Sequence, residues 1–189
     1  TTLIPVLHSL AHLTALTLSY IKLQHHVITS LFSNLGNAKL IFLEMNDCGL
    51  TTLPINPHPT SLFTISTLTL KPSTPFFSEL QTLNLANNSL SSLPWAIANL
   101  TALQKLDLRR NDFSEIPPVV ALLPALHSLL MSHNQILSFS PLLINRTNLT
   151  YVKLKPNLCG FPSAAEKEEV KNKLWGCMRL SMCVVGGTN

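Results

Sequence analysis

The sequence predicts an α/β solenoid, in which short parallel strands stack along one face and irregular or helical segments return along the other. In the middle of the chain the same apolar pattern recurs at a constant interval, and its units begin at Leu80, Leu103, Leu126 and Leu149. Within a unit, leucines alternate with polar residues, as Leu83 and Leu85 do around Asn84, which is typical of a short half-buried strand. An asparagine follows each strand at the same position: Asn88, Asn111, Asn134 and Asn157.

The recurring asparagine predicts a hydrogen-bonded ladder along the solenoid. The backbone has to turn after each strand, and a turn leaves N–H and C=O groups without partners inside the coil. A side-chain amide has two donor hydrogens and one acceptor oxygen, enough to satisfy several of these groups. No unit could bury its leucines alone, so we expect neighbouring units to stack and share one core.

Written out, the pattern is LxxLxLxxNxL followed by xxLP at Leu93-Pro94 or xxIP at Ile116-Pro117. This pattern resembles that of the leucine-rich-repeat family, and the resemblance covers about residues 1–157. It implies a right-handed superhelix of about seven strands with a parallel sheet on its concave face. It also implies a recognition role, without catalysis and without a cofactor.

The N-terminal part of the chain departs from the regular repeat. Four leucines match Leu93, Ile97, Leu100 and Leu103 at a fixed offset of 90, so the sequence starts in the middle of a repeat: Leu3, Leu7, Leu10 and Leu13. The first strand is predicted from Leu13 and the second from Leu40, so this first repeat is longer than the regular one.

The additional residues of the first repeat are predicted to form a helix. Val27, Leu31 and Leu35 are spaced one helical turn apart on one face, and Gly36 is placed to stop the helix.

Two early repeats lack the asparagine. Ile21 stands at its position in the first repeat, and Cys48 stands there in the second, where we expect a buried free thiol. A further strand is predicted around Ile65, Leu68 and Leu70, at less than the regular interval before the unit that begins at Leu80.

Residues 158–189 are predicted to form a C-terminal cap with a helix at about residues 164–175. Ser163 and Glu166 have the spacing of a capping box at a helix start. The run from Asn157 to Pro162 resembles the cap of plant-type receptor leucine-rich repeats, in which a second cysteine follows. A disulfide from Cys159 to Cys177, or alternatively to Cys183, would tie the helix to the last repeat.

Composition argues against several functional classes. The net charge of +4 comes without a basic run, so we expect no nucleic-acid partner. No apolar stretch reaches the roughly 18 residues that a membrane helix needs. His25 and His26 are adjacent and cannot both face one ion, and the chain has no CxxC, HExxH or GxSxG motif. We therefore predict no metal site and no enzymatic activity.

Four Asn-x-Ser/Thr sequons favour a secreted or cell-surface protein, together with the cysteine-bearing cap. These predicted glycosylation sites are Asn87, Asn99, Asn145 and Asn148.

The predicted binding surface is the concave sheet. Its outward-facing column contains Thr17, Glu44, Thr69, Asn84, Asp107, Leu130 and Lys153, with Lys105 and Tyr151 in the column beside it. Basic side chains gather in the C-terminal half, whereas Glu44 and Asp47 lie toward the N-terminus. An acidic ligand is therefore expected to contact Lys105, Arg109, Arg110, His133, Tyr151 and Lys153.

The sequence leaves three functions open. The first is an extracellular recognition module, resembling a receptor ectodomain, that binds a protein or glycan partner. The second is a structural surface protein that associates with itself, head to tail, through leucines left uncovered at the N-terminal end. The third is an intracellular scaffold of the Ras-interacting leucine-rich-repeat type, suggested by the constant spacing of the LP repeats.

Overall fold

The computed structural model describes residues 12–35, 38–53, 77–137, 148–154 and 156–157. Within these ranges the chain forms one parallel sheet of six strands, each three residues long. The elements in chain order are β1 (Ala15–Thr17), α1 (His25–Leu35), β2 (Phe42–Glu44), β3 (Thr82–Asn84), the 3₁₀ helix η1 (Trp95–Asn99), β4 (Lys105–Asp107), the 3₁₀ helix η2 (Pro118–Leu122), β5 (Ser128–Leu130) and β6 (Tyr151–Lys153).

The strands follow one another in the sheet in chain order, and each pairs in parallel with the next. The paired residues stay in register, so the middle residue of every strand lies in one inward-facing row: Leu16, Leu43, Leu83, Leu106, Leu129 and Val152. All but Leu16 are buried. This architecture confirms the predicted solenoid with a parallel sheet.

The predicted strand around Ile65, Leu68 and Leu70 does not separate β2 from β3. Leu43 of β2 pairs directly with Leu83 of β3, and the backbone N–H of Thr82 donates to Ile41 O at 3.0 Å. The hydrogen-bonding edge of β2 is thus filled by a strand much further along the chain. Residues 54–76, including Thr69, lie outside the described residues, so a seventh strand there stays a prediction, and the pairing shows only that it does not lie between β2 and β3.

The predicted asparagine ladder is confirmed. Asn88 Oδ1 accepts hydrogen bonds from the backbone N–H groups of Cys48 and Leu50, both at 3.0 Å. Its Nδ2 donates to Met45 O at 2.8 Å and to Leu85 O at 3.0 Å. One side chain therefore connects its own repeat to the preceding one, as the turn geometry required.

The return segments pack onto the other side of the leucine core. In α1, Leu31, Leu35, Ile28 and Phe32 are buried, which confirms the predicted helix; Gly36 lies outside the described residues. Phe32 meets Phe77 edge-on, with ring centroids 5.7 Å apart. In the repeats that begin at Leu80 and Leu103 the return contains a single 3₁₀ helix, because these repeats are shorter than the first and leave little room for a longer element.

Cys48 is a buried free thiol, as expected at an inward ladder position. Its Sγ donates to Leu18 O at 2.9 Å and so replaces part of the missing asparagine amide. Burial raises the pKa of this thiol above its ordinary value, and the nearby Asp47 charge adds to the increase. Cys48 is accordingly a protonated structural residue at neutral pH.

Several predictions fall on residues outside the described ranges. They are the uncovered leucines Leu3, Leu7 and Leu10, the cap helix at about 164–175, and the cysteines Cys159, Cys177 and Cys183. Among the helices of the described ranges, none has the length and apolarity needed to cross a membrane.

Candidate binding surface on the concave face

The outward-facing column of the sheet contains residues that were predicted from the repeat. The last residues of the six strands pair in the order Thr17, Glu44, Asn84, Asp107, Leu130 and Lys153. The first residues form the neighbouring column, in which Ser128 pairs with Lys105 on one side and with Tyr151 on the other. Thr69 does not separate Glu44 from Asn84, because β2 pairs with β3.

A second row of side chains follows the strands, at the position just before the ladder residue. Five residues there have left-handed backbone conformations, with φ between 54° and 65°: Tyr20, Asp47, Asn87, Arg110 and His133. Each donates its backbone N–H to a carbonyl oxygen of the next repeat, for example Arg110 to Ser132 at 2.9 Å. The bend therefore imposes the same conformation in each of these repeats and turns all five side chains toward solvent. We call these five residues the left-handed row.

The left-handed row borders a cleft of about 320 Å³ at the edge of the concave face. The cleft is lined by Tyr20, Asn46, Asp47, Ala86, Asn87, Arg109, Arg110, Ser132, His133 and Lys153. Of the six predicted ligand-binding residues, four meet in this cleft. Lys105 and Tyr151 lie on the adjacent column of the same sheet instead.

Arg109 differs from the other predicted basic residues because its charge is already compensated. Its Nη2 lies 2.6 Å from Asp107 Oδ2, and its Nε donates to Asp107 Oδ1 at 2.8 Å. Asp107 is 2% exposed, whereas the Arg109 side chain is 41% exposed. This hydrogen-bonded carboxylate raises the pKa of Arg109 above its ordinary value, so the guanidinium stays charged wherever the protein is folded. Arg109 is thus primarily a structural partner of Asp107.

The basic half of the cleft contains Arg110, His133 and Lys153. Arg110 and His133 are exposed at consecutive places in the left-handed row, and Lys153 is half-buried at the end of β6. Within the described ranges, the one ion pair is that between Arg109 and Asp107. Arg110 and Lys153 therefore present positive charge to anything that enters this half of the cleft.

The acidic half of the cleft is lined by Asp47 and Asn46, and the Glu44 carboxylate lies next to the Asn46 amide. The Glu44 carboxylate accepts hydrogen bonds from Asn46 Nδ2 and, at 3.5 Å, from Asn84 Nδ2. Tyr20 borders this half and is 80% exposed. The sequence analysis did not identify Tyr20 as a site residue, although its place after Leu16 in the first repeat matches that of Arg110 after Leu106.

The sequon asparagines occupy different surfaces. Asn87 is exposed and lines the cleft, whereas Asn99 lies at the end of η1, away from the cleft. Asn148 is exposed, and its Nδ2 donates to Pro124 O at 2.6 Å. Asn145 lies outside the described residues. A glycan on Asn87 would therefore enter the cleft, and one on Asn99 would leave it open.

Comparison with known proteins agrees with the repeat structure. A family profile described as "Leucine rich repeat" matches residues 67–113 and 78–136. A search of curated protein sequences finds no significant match.

The solved structures that share the fold include the three described below. One is the leucine-rich-repeat ectodomain of the plant membrane receptor kinase GASSHO1/SCHENGEN3 from Arabidopsis thaliana, in complex with CASPARIAN STRIP INTEGRITY FACTOR 2. It is 28% identical with a TM-score of 0.56, and the match covers 82% of this chain and 17% of the receptor chain.

The other two proteins are bacterial. Their sequence identity to this chain is low, so they show the fold alone. A leucine-rich-repeat protein of Leptospira interrogans is 22% identical with a TM-score of 0.56, covering 90% of this chain and 50% of that one. An internalin of Listeria monocytogenes is 18% identical with a TM-score of 0.53, covering 100% of this chain and 52% of that one.

This chain therefore spans about half the length, or less, of the proteins whose structures it matches. The recurring strands, the asparagine ladder and the family match at residues 67–136 lead to one conclusion: the chain has the leucine-rich-repeat fold.

Proposed function

We propose that this chain is a non-enzymatic recognition module that binds a protein partner through the cleft on its concave face. The observation that carries the proposal is the meeting of Arg110, His133 and Lys153 on one wall of a cleft of 320 Å³. The leucine-rich-repeat fold itself supports a role in protein interaction. Positive charge at a solvent-exposed cleft favours a partner with acidic groups and accelerates its association.

The charge of the basic half gives a direct test of the proposed site. Because Arg110 and Lys153 would attract an acidic segment, reversal of both charges, Arg110→Glu with Lys153→Glu, should weaken binding about tenfold at low salt. The probe is a phage-displayed library of random dodecapeptides, selected on the wild-type chain. Affinities of the selected peptides are then measured for both proteins.

The matched control reverses the charge of Lys39, which lies outside the cleft. Lys39→Glu should leave the affinities unchanged. If the double reversal in the cleft also leaves them unchanged, the basic residues are an ordinary solvated rim and the proposed site is wrong. Binding of acidic oligosaccharides in place of peptides would identify a glycan partner instead.

We further propose that the protein acts outside the cell. Support comes from the sequon asparagines that lie at the surface, Asn87, Asn99 and Asn148, and from the similarity to a receptor ectodomain. An intracellular scaffold would carry no N-glycans and no disulfides in its cap. The intact mass of the native protein is therefore expected to fall on deglycosylation and to change on reduction by the loss of a disulfide.

The sequons themselves allow a controlled version of this experiment. Ser89→Ala abolishes the Asn87 sequon but keeps the Asn87 side chain in the cleft. If Asn87 is modified in the native protein, this variant loses one glycan in mass and gains peptide binding, since the cleft is no longer covered. An unchanged mass would show that Asn87 is not glycosylated.

Self-association remains a second candidate because of the β1 end of the sheet. Leu13, Leu16 and Leu18 are only partly buried there, whereas their counterparts in the second repeat, Leu40, Leu43 and Met45, are buried. A second copy covering this end would form a head-to-tail contact and would grow into larger assemblies. Light scattering that shows a monomer at all concentrations would exclude it.

A further inference from the structure

Folding alone does not explain why the left-handed row contains a tyrosine, Tyr20. A left-handed backbone is unfavourable for most side chains, and asparagine and aspartate tolerate it best. Asn87 and Asp47 fit this rule, but Tyr20 and Arg110 do not. Tyr20 is also 80% exposed, so burial of its ring contributes little to offset the unfavourable backbone. The identity of this residue therefore points to a role in binding.

Tyr20 and Asp47 both line the acidic half of the cleft, where an aromatic ring and a carboxylate would suit a cation. The Tyr20 N–H donates to Asn46 O at 2.8 Å, which places it beside the segment that carries Glu44 and Asp47. An aromatic ring attracts a lysine or arginine side chain through its face, and a nearby carboxylate adds a charge-assisted hydrogen bond.

We propose that the cleft binds an extended peptide segment at two points, with a lysine or arginine at the Tyr20–Asp47 end and an acidic group at the Arg110–His133 end. This inference rests on the proposed function and adds the chemistry and spacing of the ligand. Asp47 and His133 follow strands β2 and β5, which are three strand spacings apart. At about 4.8 Å for each spacing the two ends lie about 14 Å apart, which an extended peptide spans with about four residues.

The selection experiment on the random dodecapeptide library tests this inference separately from the proposed function. The selected peptides are expected to carry a lysine or arginine about four positions from an aspartate or glutamate. Either order along the peptide agrees with the inference, since the charge positions do not fix the direction of the peptide backbone. Enrichment of acidic residues without a basic partner would overturn the inference but leave the proposed function intact. Peptides that bind the Arg110→Glu, Lys153→Glu protein as well as the wild type would overturn both.

Variants at the Tyr20–Asp47 end of the cleft then separate effects on binding from effects on folding. Tyr20→Asn should raise the midpoint of thermal unfolding, because asparagine tolerates the left-handed backbone better. The same change should weaken the selected two-charge peptides about two- to fivefold, the loss expected for an exposed cation–aromatic contact while the Asp47 charge stays in place. Tyr20→Phe keeps the ring face and should retain most of the affinity.

Asp47→Asn is the matched change for the carboxylate, because it removes the charge and keeps a residue suited to the left-handed conformation. It should weaken the two-charge peptides and leave peptides that carry only acidic groups unaffected. If Tyr20→Asn raises the unfolding midpoint while the affinity of the two-charge peptides stays the same, Tyr20 is not a binding residue and the inference is wrong.

Discussion

Replacement of Asn111 by alanine is expected to destabilise the solenoid by about 2–4 kcal/mol, since a buried N–H left without a partner costs about 1–3 kcal/mol and each further lost hydrogen bond costs about 0.5–1.5 kcal/mol. Asn111 is 5% exposed, so water has little access to replace its hydrogen bonds. Its Oδ1 accepts from Leu90 N at 2.9 Å, and its Nδ2 donates to Leu85 O at 3.0 Å and Leu108 O at 3.1 Å. Alanine would leave the Leu90 N–H without its partner. Each of the two carbonyls would lose one of two amide donors, because Leu85 O keeps Asn88 Nδ2 and Leu108 O keeps Asn134 Nδ2.

The measurement is equilibrium unfolding in urea, with Asn99→Ala as the matched control. Asn99 is an asparagine at the surface end of η1, and its replacement should change the free energy of unfolding by less than about 0.5 kcal/mol. A loss below about 1 kcal/mol for Asn111→Ala would contradict the role given to the ladder, because it would mean that water satisfies the backbone groups.

The regular repeats could be predicted from sequence because their constant spacing determines the strand register, the side chains that face the core and the asparagine ladder. The constant period places Leu106 beside Leu83 and Leu129, and the alternation within each strand then decides which side chains face the core. The ladder follows from the same spacing, since Asn111 must lie next to the turn that Asn88 begins. Helix α1 was predictable for a different reason, namely its apolar residues one helical turn apart.

The place of β3 beside β2 could not be predicted in the same way. Apolar alternation identified a strand-like segment around Ile65, but alternation does not say which edge a strand pairs with. The backbone hydrogen bonds decide it: Met45 N donates to Asn84 O at 2.9 Å, so β2 is already paired. A long insertion between two paired strands is tolerated because the entropy of loop closure grows only slowly with loop length.

Four of the six residues predicted for the candidate site line one cleft, but their pairing was not predicted. Residues two apart in a strand point to the same side, so the placement of Arg109 two residues after Asp107 was a usable signal for their pairing. The sequence analysis instead grouped Arg109 with the basic residues expected to contact a ligand. Tyr20 was missed because its repeat lacks the asparagine, and the alignment of left-handed positions becomes visible only when the strands are in register.

Replacement of Arg109 by alanine is expected to destabilise the protein by about 2–3 kcal/mol, somewhat less than the loss of one partner of a fully buried ion pair. The reason is the asymmetry of the pair: Asp107 is 2% exposed, so its carboxylate would remain enclosed without a cation. The effect is reduced because the Arg109 side chain is 41% exposed, which lets water approach that end of the pair. Urea unfolding at neutral pH measures the change.

Two companion variants decide whether the enclosed carboxylate is the cause. Arg109→Lys keeps the charge but loses the bidentate contact with Asp107. Its free energy of unfolding should therefore lie between those of the wild type and Arg109→Ala. The double variant Asp107→Leu, Arg109→Ala removes both charges and places an apolar side chain beside Leu130, which is 7% exposed. It should recover most of the stability lost in Arg109→Ala, because no unpaired charge remains and the loss is then limited to the hydrogen bond from the backbone N–H of residue 109 to Asp107 Oδ1. If the double variant is as unstable as Arg109→Ala, the loss comes from the packing of the arginine stem and not from the carboxylate.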